Sequence, residues 1–291
     1  MLKDINILKK VKILRITHWI KNLIIFLPLI FSNEFIDFSN FLIAIKLFLH
    51  FSLLSSAVYV FNDILDFEKD KNHPIKRLRA LPQGIISIKQ AVVLHIFLLF
   101  LSIFFFSKEI LYVSISYLIL NYLYSIVLKK IFILDIVIVC FGYYLRVLAI
   151  SLVTNIPLSS YFIIMIFLVA FFILLSKRYL SIKFSNIDES KNLKFFYFKF
   201  HKILSIFLLI SISIVFTKYI LENIQIAFSF EFISILTSQI VLLLILFIFY
   251  KLVISLNKDE NPVSIFFRNK EIYLTSYFWI FYNIVLYLYV L

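Results

Sequence analysis

Long apolar runs recur along the chain, each closed by a short polar stretch, and this pattern predicts about nine membrane-crossing helices. A helix needs about 20 apolar residues to cross the hydrocarbon layer. The runs fall near Trp19–Phe31, Phe41–Asn62, Ile88–Phe106, Ile110–Leu128, Ile131–Val153, Leu158–Ser176, Ile203–Ile220, Phe230–Ile254 and Tyr273–Leu291. The first is short and carries Pro28, whose kink a membrane helix tolerates. Before it, Leu2, Ile5, Leu8 and Val11 stand among basic residues with no cleavable signal pattern. Their spacing predicts a short interfacial helix over residues 1–15. The expected fold class is an all-α polytopic membrane protein, with one transmembrane domain over residues 1–291.

Composition agrees with lipid as the solvent. Hydrophobic residues make up 63% of the chain and the mean hydropathy is +1.03. Soluble domains are about half apolar. Gly84 and Gly142 are the only glycines, which excludes helix packing of the GxxxG kind. The single cysteine, Cys140, excludes an intrachain disulfide and a cysteine-based metal site.

The formal net charge is +13, but the basic residues fall between the apolar runs. This points to topology and to anionic lipid or phosphate ligands, with no nucleic acid as partner. If the spans alternate, 25 Lys and Arg lie on one side and three (Lys46, Lys108 and Lys218) on the other, with Arg146 inside a span. That asymmetry predicts a cytoplasmic N-terminus and an external C-terminus in a cell membrane. The connections expected on the cytoplasmic side are long and polar, so function is expected in the loops at about 65–88 and 177–202.

The clearest chemical signal closes the second run: Asn62-Asp63-Ile64-Leu65-Asp66-Phe67-Glu68-Lys69-Asp70. On a continuous helix Asn62, Asp66 and Asp70 stand at i, i+4 and i+8, with Asp63 bordering them. Like charges so spaced repel, and a bound cation removes the repulsion. Hard oxygen donors with an amide carbonyl suit Mg²⁺, which commonly takes a few carboxylates plus substrate phosphates. Next comes His73-Pro74-Ile75-Lys76-Arg77-Leu78-Arg79. Pro74 ends the helix, and Lys76, Arg77 and Arg79 are candidates for phosphate oxygens.

Other polar residues stand inside the runs. Asn121, Ser125 and Lys129 share a stripe of the fourth helix beside Tyr122 and Tyr124, and are candidates to line the same cavity. Asp135 and Arg146 face one direction on the fifth. Arg146 is a candidate for pairing with a helix carbonyl or acid, or for a lipid phosphate. Lys21 and Asn22 follow Trp19, where an anionic headgroup would lie. His18, His50, His95 and His201 form no ligand spacing. There is no glycine-rich phosphate loop and no nucleotide fingerprint.

The Asn62-Asp63-x-x-Asp66-x-x-x-Asp70 run, at the end of the second of nine helices, resembles the UbiA superfamily of intramembrane prenyltransferases. Its decaprenyl-phosphate phosphoribosyltransferase branch is the finer match. The tracts that carry this are Trp19-Ile20-Lys21-Asn22, Ser56-Ala57-Val58-Tyr59, His73-Pro74-x-Lys76-Arg77-x-Arg79, Leu134-Asp135, Leu145-Arg146 and Lys177-Arg178-Tyr179. Prenyltransferases of the superfamily usually carry a second acidic motif after the sixth span. Here that place reads Ser176-Lys177-Arg178-Tyr179-Leu180-Ser181-Ile182-Lys183, which is basic and suits an extra phosphate.

The resemblance implies a single catalytic domain that transfers 5-phosphoribosyl from phosphoribosyl pyrophosphate (PRPP) to a polyprenyl phosphate. It implies Mg²⁺ as cofactor, held by Asn62, Asp66 and Asp70 with Asp63 assisting. Lys76, Arg77, Arg79, Lys129, Lys177, Arg178 and Tyr122 would serve PRPP and its phosphates. Lys21, Asn22 and Arg146 would serve the lipid phosphate. Two alternatives stay open: a prenyl diphosphate donor with an aromatic acceptor, and a lipid carrier or transporter. No internal repeats support the latter.

Overall fold

A computed structural model of the chain describes residues 12–32, 34, 37–72, 76–131, 134–184, 191–223, 230–256, 264–265 and 268–289. All regular structure among them is helical. Eight helices among the described residues are long and apolar enough to cross a membrane. The expected interfacial helix over 1–15 lies mostly outside the described residues, as do His73 and Pro74.

The chain divides into two compact units, Met1–Leu29 with Phe35–Pro157, and Ile30–Glu34 with Leu158–Leu291. The first contains α1 (Lys12–Ile30, but for its last residue), α2 (Phe38–Leu65), α3 (Phe67–Lys71), α4 (Ile88–Ser102), α5 (Leu111–Ile126) and α6 (Leu134–Thr154). The second contains α7 (Ser160–Lys183), α8 (Lys191–Asn223), α9 (Phe230–Ser255) and α10 (Lys270–Tyr289). The last apolar run, expected at Tyr273–Leu291, is therefore a helix of 20 residues.

Local sequence explains where these helices start. Asp37 caps α2 by accepting a hydrogen bond from Ser39 N at 2.7 Å. Ser87 and Gln90 form a reciprocal capping box at the start of α4. Ser159 accepts from Phe162 N at the start of α7. Gly84, at φ +71°, supplies the left-handed turn before α4.

The kink expected at Pro28 takes another form. Residues Ile16–Phe26 are wound as a 3-10 helix, and only Leu27–Ile30 is α-helical. Proline has no N–H to give the carbonyl four residues back, which is that of Ile24. The Leu27 N–H takes that carbonyl instead, in the i−3 pattern.

Helices also outrun their apolar stretches. The polar segment at 177–202 is largely helical, since α7 continues to Lys183 and α8 begins at Lys191. Lysine and arginine are good helix formers whose long stems lie along apolar surface while their charges reach water.

In the first unit α2 is the central helix. Phe51, Ala57 and Val60 on it are fully buried. One core gathers Ile25, Leu29, Leu47, Phe51, Tyr117 and Ile150 from α1, α2, α5 and α6. A second gathers Leu53, Ala57, Val60, Leu81, Ala91 and Leu98 around α2, α4 and the loop between them. In the second unit Phe216, Ile235 and Leu286 form a smaller core. There Ser238 donates to Asn283, and the Gln239 amide donates to Ser213 and Thr217.

Gly142 has a specific use. A Cβ built there would meet the Arg146 guanidinium at 3.4 Å and the Tyr117 ring at 3.9 Å. Gly142→Ala is therefore expected to be tolerated, whereas Gly142→Val should cost about 1–3 kcal/mol by overpacking. Thermal melting of both variants in detergent, with Arg146 intact, checks this; equal melting temperatures would refute it.

Candidate functional site

The acidic run sits where α2 ends and α3 begins. Asp66 breaks the regular helix at φ −90°, ψ 4°, yet two hydrogen bonds of helical type span the junction. Asp66 N donates to Asn62 O at 3.0 Å, and Asp70 N donates to Asp66 O at 2.8 Å. The acids thus keep near-helical spacing.

They do not form one stripe. Asp63 and Asp70 both accept from Arg79 Nη1, at 3.1 and 2.5 Å, and Arg15 Nη2 also donates to Asp63. Asn62 and Asp66 meet Lys129 instead. Helical geometry accounts for the division. At 3.6 residues per turn, positions eight apart drift by about 80°, whereas positions seven apart drift by only about 20°. Asp70 therefore sides with Asp63 rather than with Asn62.

Lys129 follows the end of α5, on a short 3-10 turn, Leu128–Lys130. Its ammonium lies 2.7 Å from each carboxylate oxygen of Asp66 and 3.2 Å from Asn62 Oδ1. Asn62 Nδ2 donates to Asp66 Oδ2 at 3.1 Å, which turns its carbonyl oxygen to Lys129. Three oxygens thus converge on one cation. Such a donor set fits a hard divalent metal whose remaining positions are filled by phosphate and water. Among the described residues, no group of three or more His, Cys, Asp or Glu is gathered in a way that could hold a metal.

The rest of the Lys129 stripe turns inward on its own helix. Asn121 donates to Tyr117 O, and Ser125 donates to Asn121 O. Only Lys129 of the three reaches the acids. Tyr122 is placed by His95, a residue whose spacing carries no signal because its partners lie on other helices. His95 Nδ1 donates to the Ala57 carbonyl at 2.9 Å, which leaves Nε2 to accept from the Tyr122 hydroxyl at 3.2 Å. The Phe61 ring packs on Tyr122, with centroids 4.6 Å apart.

Arg146 is 8% exposed and its donors go to neutral acceptors. It reaches Asn22 Oδ1 at 2.6 Å, the Gly142 carbonyl at 2.5 Å and the Tyr117 hydroxyl at 2.8 Å. Asn22 is held in turn by Ser52 at 2.9 Å. Of the expected alternatives for Arg146, the helix carbonyl is realised. Neither Lys21 nor Arg146 has a carboxylate within ion-pair distance among the described residues.

Lys76 and Arg77 are exposed on a 3-10 turn, Lys76–Leu78, next to Arg79. In the second unit Lys177 and Arg178 lie near the end of α7. The neighbouring Tyr179 stacks on His201 with centroids 4.2 Å apart. Arg15, Ser52, Phe61, His95 and Tyr117 belong to these networks without having stood out in the sequence. The only signal for Arg15 was its basic charge among the topology determinants.

Residues 23–281 match the UbiA prenyltransferase family. The chain is 30% identical over 177 residues to a decaprenyl-phosphate phosphoribosyltransferase of Mycobacterium tuberculosis, a match covering 58% of each chain. It is also 30% identical over 188 residues to the enzyme of that name from Mycolicibacterium smegmatis, covering 62% of this chain and 59% of that one. The chain thus spans somewhat under two thirds of the length of these two relatives. A UbiA homolog from Archaeoglobus fulgidus, bound to DMAPP and Mg²⁺, shares the fold with a TM-score of 0.70 at 19% identity. That likeness covers 97% of this chain and 100% of that one.

The Asp63–Arg79–Asp70 clamp makes a measurable prediction. The two carboxylates are 4% and 3% exposed. Arg79→Met should destabilise by about 3 kcal/mol, because it strands the buried Asp70 and leaves Asp63 with Arg15 alone. Adding Asp70→Asn should restore part of the loss, so the double variant falls well short of additivity. Strict additivity in thermal melting would show that the clamp carries no coupling.

Proposed function

The chain belongs to the UbiA prenyltransferase family, and on that premise we propose that it is a membrane transferase acting on PRPP. It moves the 5-phosphoribosyl group to a polyprenyl phosphate, releasing pyrophosphate and forming lipid-linked phosphoribose. The observation that carries the reading is the 30% identity to relatives named decaprenyl-phosphate phosphoribosyltransferase. The basic tract at Lys177 and Arg178, which suits an extra phosphate, supports the same donor.

In this reading Asn62 and Asp66 are the protein's oxygen donors to Mg²⁺. Mg²⁺ bound there supplies charge neutralisation to the departing pyrophosphate. Asp63 and Asp70 act through Arg79, which they hold toward the same end of α2. Arg79, Lys76 and Arg77 take the phosphates of PRPP and orient the anomeric carbon. Lys129 serves these phosphates as well, and Tyr122, held by His95, packs beside them. Lys21 takes the phosphate of the acceptor lipid, with Arg146, oriented by Asn22, adding positive potential behind it.

A phosphate oxygen of the acceptor attacks the anomeric carbon as the bond from that carbon to the pyrophosphate oxygen breaks. The acceptor is already anionic near neutral pH, so the site needs no strong general base. The excess of basic residues on one side, 25 against three, supports a cytoplasmic site in a cell membrane.

The test uses purified protein in detergent with Mg²⁺, a polyprenyl phosphate and PRPP labelled in the ribose. Label should enter the organic phase, and EDTA should stop it. Asp66→Asn should lower turnover about 100-fold or more, through lost stabilisation of the leaving group, with the helical signal intact. Near-normal turnover in that variant would remove the metal assignment. Absence of transfer beside an active control enzyme would remove the donor assignment and direct the assay to prenyl diphosphates with aromatic acceptors.

A further inference from the structure

The lysine in the oxygen set has a consequence for how that set is filled. We propose that the Lys129 ammonium is the resident cation of Asn62 and Asp66, and that a divalent metal displaces it only together with a pyrophosphate-bearing substrate. This rests on the transferase reading given above and deepens it, since it concerns how the metal and the donor reach their shared site.

Geometry supplies the first argument. The ammonium has three N–H donors, and the three oxygens around it, Asp66 Oδ1, Asp66 Oδ2 and Asn62 Oδ1, engage them all. These are the oxygens that a hard divalent cation would take. Two cations cannot share that position, because their repulsion at such separations is strong near a low-dielectric boundary.

Charge balance supplies the second. Asp66 and Lys129 together are neutral. A metal entering alone would bring two positive charges to one carboxylate and would push the lysine off its counter-ion in a half-buried place. An unpaired charge there is costly. A pyrophosphate group entering with the metal offers the displaced ammonium new oxygens, so the two ligands bind with positive coupling.

Mobility supplies the third. Asp66 is 17% exposed, against 4% and 3% for Asp63 and Asp70, although Arg79, at 29%, is itself more exposed than Lys129, at 21%. The long lysine stem lets the ammonium move several ångströms with the backbone fixed. The Lys129 pair is therefore the exchangeable one, and the Arg79 clamp the fixed one.

The experiment reads metal binding rather than turnover. Mn²⁺ binding to the full-length protein in detergent is followed by loss of the free-ion electron paramagnetic resonance signal. Melting temperatures are recorded with Mg²⁺, with inorganic pyrophosphate, and with both. The wild type should bind Mn²⁺ alone weakly and should be stabilised by Mg²⁺ and pyrophosphate together far more than by either one. Lys129→Met should bind Mn²⁺ alone at least tenfold more tightly and be stabilised by Mg²⁺ alone. Lys129→Arg, which keeps the charge, should behave as the wild type. The inference is overturned if Lys129→Met binds Mn²⁺ no more tightly than the wild type, or if Lys129→Arg gains as much as Lys129→Met. In either case an Asp66→Asn variant that loses the joint response would leave the transferase reading standing. If the wild type shows no joint response, the metal assignment fails and this inference fails with it.

Discussion

Carboxylates at the end of a helix that crosses a bilayer are stable only when cations come to them, and here the cations come from three distant places in the chain. Arg15 arrives from α1, Arg79 from the loop before α4, and Lys129 from the turn after α5. The requirement therefore does more than neutralise charge. It fastens the ends of the first unit's elements to the end of α2, where the apolar cores alone would leave the polar loops unconstrained. Buried charges with an absent partner cost several kilocalories, so such a junction has little freedom to rearrange.

Arg146, also buried in this unit, is handled differently. Arg146 has no carboxylate among the described residues and spreads its donors over Asn22, Tyr117 and its own helix at Gly142. Its guanidinium also lies 4.8 Å from the Tyr117 ring centroid. Guanidinium is more weakly hydrated than ammonium, so neutral oxygens and aromatic faces offset more of its burial cost. The result ties α1, α5 and α6 together while leaving a net positive charge inside the unit. Gly142 permits the arrangement, since a larger side chain would contest the space that the guanidinium uses.

Much of this could be read from the amino acids. Span positions follow from hydropathy because the bilayer imposes one length scale, and α2, α5 and α6 lie within a few residues of expectation. The importance of Asn62 to Asp70 was legible because acids are rare in so apolar a chain. Their division into two sets was less legible. It follows from the angular drift over eight residues, and from partners 48, 63 and nine residues away that no local pattern connects. His95 was invisible for the same reason, as its meaning lies in Ala57 and Tyr122 on other helices. The 3-10 winding of Ile16–Phe26 was half legible: Pro28 announced a disturbance, but which carbonyl would be rescued, and by which N–H, depends on the structure.

The division of the acids also separates two demands that conflict within one cluster. A site for a charged donor must hold its shape, yet it must give up its internal contacts when the ligand arrives. If every acid were locked by arginine, a metal would have to break buried pairs to enter. If every acid were paired with mobile lysine, the loop carrying Lys76, Arg77 and Arg79 would lose its anchor. Arg79 Nη1 bridges two deeply buried carboxylates and so fixes the loop, while Lys129 holds the more exposed Asp66, the contact that a ligand replaces in the proposed exchange. Arginine at the buried clamp and lysine at the pair proposed to exchange follow the chemistry of the two groups. A rigid guanidinium holds its donors in one orientation, and an ammonium on a flexible stem donates to whatever oxygens are nearest.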